Sequence, residues 1–183
     1  MVSVEATLDP KVKTQLDLIF GRRSIRAFKP GPVTDAQVRI MLEAAMAAPS
    51  AVAKDPWRFV VVRNTATLNA LADVLPNAPM LREAALGIIV CGDLQAAHDQ
   101  QLSYMLQDCA AAVENLLLAA DALGLGTCWL GIHPRAERIQ KVTILLGLPE
   151  LVLPVAGVAV GWPGEQKEAR TRYNEAYVHY EKW

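Results

Sequence analysis

Residues 101–123, QLSYMLQDCAAAVENLLLAADAL, form the longest helical pattern in the chain and are apolar on more than one side. A surface helix needs only one apolar stripe, so this segment has to lie between other elements, at the centre of the fold. Gly124 and Gly126 supply its stop.

Four strand-like runs surround it in sequence: WRFVVVR (57–63), LGIIVCG (86–92), TCWLGI (127–132) and PVAGVAVGW (154–162). Four further helices are expected. DPKVKTQLDLIFGRR opens on Asp9 as N-cap and Pro10 at the first helical position. In TDAQVRIMLEAAMAAPS, Thr34 and Gln37 have capping-box spacing, and Val33 and Val38 can staple the cap. Val38, Leu42, Ala45 and Met46 then share one face, and Pro49 ends the segment. TATLNALADVL and PRAERIQKVTILLG follow, the latter with proline at its start and Gly147 at its end. Helices and strands alternate irregularly, and the first strand-like run comes after two helices. A doubly wound nucleotide fold would open on a strand followed by a glycine-rich turn. Here LGLGT follows a helix and reads as its stop. The expected class is α+β, a mixed sheet flanked by helices, in one domain covering residues 1–183.

With 183 residues and a formal net charge of -1, the chain can bury a sizeable core but lacks the basic balance of a nucleic-acid binder. Positive charge is instead concentrated in GRRSIRAFKP, residues 21–30, which suggests a small anionic ligand. If this segment is extended, Arg22, Ser24 and Arg26 face one way and Arg23 and Ile25 the other. Two guanidinium forks around a hydroxyl suit a phosphate monoester. The same spacing also suits a solvated basic loop, or arginines paired with carboxylates. A second stretch, AAPSAVAKDPWRF (47–59), puts small residues at a helix-to-strand turn; it leaves room for a flat ligand, or is an ordinary loop with Trp57 in the core. In GTCWLGI, Leu130-Gly131 could set backbone N–H groups against a ligand edge, or simply end a core strand.

His98, His133 and His179 lack metal-ligand spacing, and Cys91, Cys109 and Cys128 form no CxxC pair. No serine sits in a GxSxG elbow. His133 reads as the neighbour of a helix N-cap and EQKEAR as a solvated charged turn. No hydrolytic machinery is evident, so any redox or transfer chemistry falls to a cofactor, and no side chain is nominated as catalytic. Reduced cysteines and an N-terminus without the apolar core of a signal peptide lead to the expectation of a cytoplasmic protein. Tyr173, Tyr177, Tyr180 and Trp183 crowd the last eleven residues. Such aromatics are expected to pack on something, either this subunit or a neighbour.

Taken together, RRSIRAFKPGPV, AAPSAVAKDPWRFVVV, GLGTCWLGI and YVHYEKW resemble, in order and spacing, the nitroreductase-like flavoprotein family, from about residue 15 to the C-terminus. The resemblance implies a mostly antiparallel sheet wrapped by helices, in a homodimer with two FMN molecules at the interface. The C-terminal arm, about residues 163–183, would cross to the partner. Arg22, Arg23, Ser24 and Arg26 match the N-terminal FMN segment. Pro49, Ser50 and Ala51 would line the isoalloxazine ring from the partner subunit, and Leu130 and Gly131 would lie near its reactive edge. Arg172, with Arg170 as its competitor, matches a C-terminal basic residue at the phosphate. The implied activity is FMN-dependent NAD(P)H oxidation, passing electrons to nitroaromatic, quinone or enone acceptors. Specialised members that dehalogenate, desaturate or degrade flavin, and a flavin-binding module with little turnover, are alternatives. Ala53 and Asp55 stand where the family usually has Asn and Gln, so the ring is expected to be one side-chain partner short at Ala53.

Overall fold

The computed structural model describes residues 9–183; the reading of residues 1–8 as free of a leader lies outside them. The helices are α1 (Pro10–Gly21), α2 (Asp35–Met46), α3 (Thr65–Val74), α4 (Leu102–Ala122) and α5 (Ala136–Leu146). The strands are β1 (Phe28–Lys29), β2 (Trp57–Val62), β3 (Leu86–Asp93), β4 (Gly126–Gly131) and β5 (Val152–Pro163).

The period-2 alternation of β3 divides the core. Leu86, Ile88 and Val90 pack with Val38 and Met41 of α2 and with Met105, Cys109, Val113 and Leu116 of α4. Ile89 and Cys91 point the other way, into a cluster with Leu68 and Leu71 of α3 and Val142 of α5. Helices therefore cover both faces of the sheet, which explains why β3 is apolar throughout rather than alternating. The central helix expected from residues 101–123 is α4. It packs on the sheet and against α2, and buries Met105, Ala112, Leu116 and Ala120 along the way.

The long strands pair antiparallel in the order β2-β3-β5-β4. β1 adds Phe28 and Lys29 opposite Pro163 and Trp162 at the end of β5. One parallel contact, Ser24 with Thr127, makes the sheet mixed. β1 corrects the order read from the sequence, since a short strand precedes α2; two residues carry no periodic signal.

Local chemistry places the ends. Asp9 caps α1 through Lys11 N, and the Thr34–Gln37 capping box closes α2 with Val33 and Val38 buried together beside it. Gly124 (φ 73°) takes the left-handed conformation that stops α4, with Leu125 N bonded back to Ala120 O at 2.9 Å. Pro134 lies outside α5, which begins two residues later behind Arg135 as N-cap. Among the described residues, no helix is long and apolar enough to cross a membrane.

Gly126, the first residue of β4, has to be small: a Cβ there would lie 2.8 Å from Ile25 Cγ2 and 2.9 Å from Ile25 Cβ. Ile25 is β-branched and stiff, and it is held in the core. Gly126→Ala is therefore expected to destabilise the fold by about 1–3 kcal/mol, measured by urea unfolding. A change within the error of the measurement would show that Ile25 yields freely.

Candidate functional site

The arginine segment is held on the open edge of β4. Arg22 leaves α1 with extended backbone (φ -57°, ψ 128°), and Ile25 N donates to Thr127 O at 2.8 Å. Ile25 turns into the core, so alternation directs Ser24 and Arg26 outward. The chain beyond β5 closes over the segment. Gly164 N donates to Ala27 O at 2.8 Å, and Glu165 Oε1 accepts from Arg26 N at 2.6 Å and Ala27 N at 3.3 Å. Lys167 Nζ bonds Ser24 O at 2.7 Å and Glu165 at 2.9 Å, while Arg23 reaches Glu168 O at 3.0 Å. EQKEAR is thus a clamp on residues 23–27 rather than the solvated turn expected from its composition. Its partners lie some 140 residues away, where local pattern is silent.

Between the segment and the clamp runs a groove of about 500 Å³ lined by Arg22, Arg23, Arg26, Lys167, Arg170 and Arg172, with Ser24 among them. Arg23 departs from the expected alternation, because its long side chain swings round to the tail. Arg22 Nε stands 3.3 Å from Glu114 Oε1, yet it is buried and forms no aligned hydrogen bond. Among the described residues, the guanidinium groups of Arg26, Arg170 and Arg172 have no hydrogen-bond or ion-pair partner. Cations gathered this way repel one another and draw an anion, for which arginine forks are the strongest recognition groups.

Arg26 also lines a second groove, of about 580 Å³, whose walls are Leu75–Met80, Cys128–Gly131 and Arg138. The two grooves meet at Arg26. Leu75, Met80 and Leu130 contribute apolar surface, Asn77 an amide, and Arg138 Nη1 donates to Gly131 O at 2.8 Å. Arg22, Arg23, Ser24, Arg26, Arg170 and Arg172 therefore line one groove, Leu130 and Gly131 the other, and Arg26 borders both. Lys167 also lines the first, Asn77 and Arg138 the second, and these three carry no motif that the sequence reading could have used.

Pro49, Ser50, Ala51 and Ala53 line neither groove of their own chain. Their loop is a rigid, strained unit on α4. Val52, Ala53 and Asp55 all have left-handed backbone (φ 52°, 51° and 48°), which is unfavourable without glycine. Ala51 N donates to the buried Asp108 at 2.8 Å. Ser50 Oγ donates to Asp55 Oδ1 at 2.5 Å, and Asp55 N returns a bond to Ser50 Oγ at 3.0 Å. Asp55 thus closes the loop on itself, which gives its charge a structural task.

Cys91 and Cys109 are pushed up to about 12 by burial, so both stay protonated and poorly nucleophilic. Cys128 is also raised by burial. Among the described residues, no group of three or more His, Cys, Asp and Glu side chains is gathered to hold a metal.

A densely cationic groove beside a partly apolar, amide-bearing one, both on a helix-covered and mainly antiparallel sheet, marks the candidate site of an α+β protein. Residues 19–76 and 72–162 match the nitroreductase family, and the chain belongs to that family. A protein of Archaeoglobus fulgidus with the provisional name NADH dehydrogenase/NAD(P)H nitroreductase is 40% identical, over 92% of this chain and 98% of its own. The oxygen-insensitive NADPH nitroreductase of Salmonella typhimurium is 32% identical, over 91% of this chain and 72% of its own. A Desulfovibrio desulfuricans protein, provisionally named a nitroreductase and crystallised with FMN, superposes with a TM-score of 0.79 at 32% identity, covering 97% of this chain and 99% of that one.

The clamp has a pH signature. Bonds from Arg26 N, then from Lys167, hold the Glu165 carboxyl below the ordinary glutamate value of 4.5. A lowered folded-state value contributes stability above the unfolded-state value that is lost as pH falls through the folded one. Urea midpoints followed from pH 6 to pH 3 are expected to fall more steeply below about pH 4.5 in wild type than in Glu165→Gln. Parallel curves would show that the clamp carries no such linkage.

Proposed function

We propose that the protein is an FMN-dependent NAD(P)H oxidoreductase that works as a homodimer and delivers electrons to small acceptors such as nitroaromatics, quinones or enones. The observation that carries the reading is the meeting, at Arg26, of a cationic groove with unpaired guanidinium groups and a second groove edged by Leu130 and Gly131. The fit to FMN is physical. A phosphate dianion answers the repulsion among Arg22, Arg26, Arg170 and Arg172, Ser24 adds a hydroxyl, and the wider groove has a partly apolar wall suited to a flat ring.

FMN, when bound, would supply the two-electron chemistry that links NAD(P)H to the acceptor in a ping-pong scheme. The chain's own residues bind and orient. Arg22, Arg23, Ser24, Arg26 and Arg172, with Arg170, would anchor the phosphate end, while Leu130 and Gly131 would present backbone to the ring edge. Arg26, which lines both grooves, would reach the ring as well. Fixed dipoles and cations of this kind favour negative charge without reorganising during the reaction. Asn77, which lines the same groove, would be a candidate from within the chain for the ring partner missing at Ala53.

Two features support a second copy. α1 buries none of its residues, and Tyr173, Tyr177, Tyr180 and Trp183 are 71–100% exposed. These four side chains are largely free of the body of their own subunit, with Trp183 stacked on His179 within the tail, and this supports the crossing arm. A partner that covers them would also bring its Pro49–Ala53 loop, absent from either groove of its own chain, to the flavin. A second reading, a flavin-binding module with little turnover, draws on Ala53.

Purified protein is expected to be yellow, to be bleached anaerobically by NAD(P)H, and to regain colour with a nitroaromatic or quinone. Colourless protein that takes up no FMN overturns the proposal, while yellow protein that NAD(P)H cannot bleach favours the binding module. Arg22→Ala with Arg26→Ala is expected to weaken FMN binding by about 3 kcal/mol or more, if each charge-assisted contact contributes about 1.5 kcal/mol or more. Fluorescence titration of FMN reads this directly, and an unchanged affinity would remove both arginines from the site.

A further inference from the structure

The second groove holds an interaction that the binding reading does not use. Arg138 belongs to the first turn of α5, yet its guanidinium turns back to the end of β4 and donates to Gly131 O at 2.8 Å. Nothing lies within 4 Å of where a Cβ on Gly131 would sit, so the last residue of β4, opposite Ala156 of β5, has open space on one side. The Arg138 bond adds a side-chain tether on the Gly131 carbonyl to the placement that sheet pairing gives it. Among the described residues Arg138 forms no ion pair, although its charge is felt by Glu137 beside it. Glu137 and Asp73, which line an adjoining groove with it, are paired elsewhere: Glu137 with Lys141 at 2.6 Å, Asp73 with Arg82 at 2.5 Å. Across the groove stands another cation, Arg26.

We propose that Arg138 is a positioning residue that locks the Gly131 peptide at the ring end of the groove and biases a bound flavin toward its reduced form. The inference rests on the FMN reading above. A flavin that accepts a hydride takes up two electrons and one proton, and so gains one negative charge, with NAD(P)+ leaving. A fixed cation beside that end favours the charged product over the neutral oxidised ring, and a partly apolar groove screens the effect less than water does. Arg138 would therefore raise the flavin's midpoint potential and touch oxidised binding little.

The test is the potential of the FMN-loaded protein, measured with a redox dye, together with its affinity for oxidised FMN. Arg138→Gln is expected to bind oxidised FMN within about threefold of wild type but reduced FMN about tenfold more weakly, a potential about 30 mV lower for a two-electron couple. Arg138→Lys keeps the charge and is expected to recover most of that shift. Arg135→Gln lies one turn away, bonds nothing at Gly131, and is expected to leave the potential unchanged. An Arg138→Gln potential equal to wild type overturns the proposal, as does an equal drop in Arg138→Lys and Arg135→Gln, which would mark a general disturbance of α5. Wild-type protein that takes up no FMN refutes the cofactor reading itself, a failure distinct from either of these.

Discussion

The backbone bond from Ile25 to Thr127 holds the site in place. It docks the segment after α1 on the outer edge of β4, and Ile25 fits there because Gly126 has no side chain to meet it. With Ile25 in the core, the outward positions fall to Ser24 and Arg26. The same contact brings three arginines to the sheet edge that leads on to Leu130 and Gly131. Without it the arginines would lie on a loop after a helix that buries none of its residues, with no fixed relation to one another.

Electrostatics completes what the edge begins. Gathering six cationic side chains in one groove is unfavourable by itself, and among the described residues the fold offsets it with Glu114 beside Arg22, Glu165 beside Lys167, and Asp121 within the field of Arg22. Glu165 is spent largely on the backbone of Arg26 and Ala27, which fixes the segment rather than neutralising the arginines. The remaining positive charge is what the proposed anion site rests on. A comparable economy holds at the 49–55 loop, where strained backbone is kept in shape by Asp108 and by the Ser50–Asp55 pair.

Much of this was legible in the sequence where the signal is local. The Thr34–Gln37 box, the β-branched runs of β2 and β3, the strand-like stretches of β4 and β5 and the glycine stop after α4 each follow from a few neighbouring residues, and each is present. The resemblance of four motifs correctly indicated the family. What could not be read is the long-range closure. Glu165 and Lys167 look like a solvated run until β5 ends beside residue 27 and brings them onto the arginine segment. Arg23 was assigned to the wrong side because alternation fixes Cβ directions, not the reach of a long side chain. Asn77 and Arg138 carry no motif, and only the packing of α3 and α5 on one face of the sheet sets them at the same groove. Asp55, puzzling as a replacement for glutamine, is explained by its bonds to Ser50.

The central claim is that the groove of Arg22, Arg26, Arg170 and Arg172 recognises a phosphate at one end of a flavin. The most direct measurement compares the affinity of the protein for FMN with its affinity for riboflavin, which carries the same ring and ribityl chain without the phosphate. The account predicts binding of FMN at least about 100-fold tighter, the scale of two charge-assisted contacts, with the difference shrinking as salt is raised. Equal affinity for the two would contradict it.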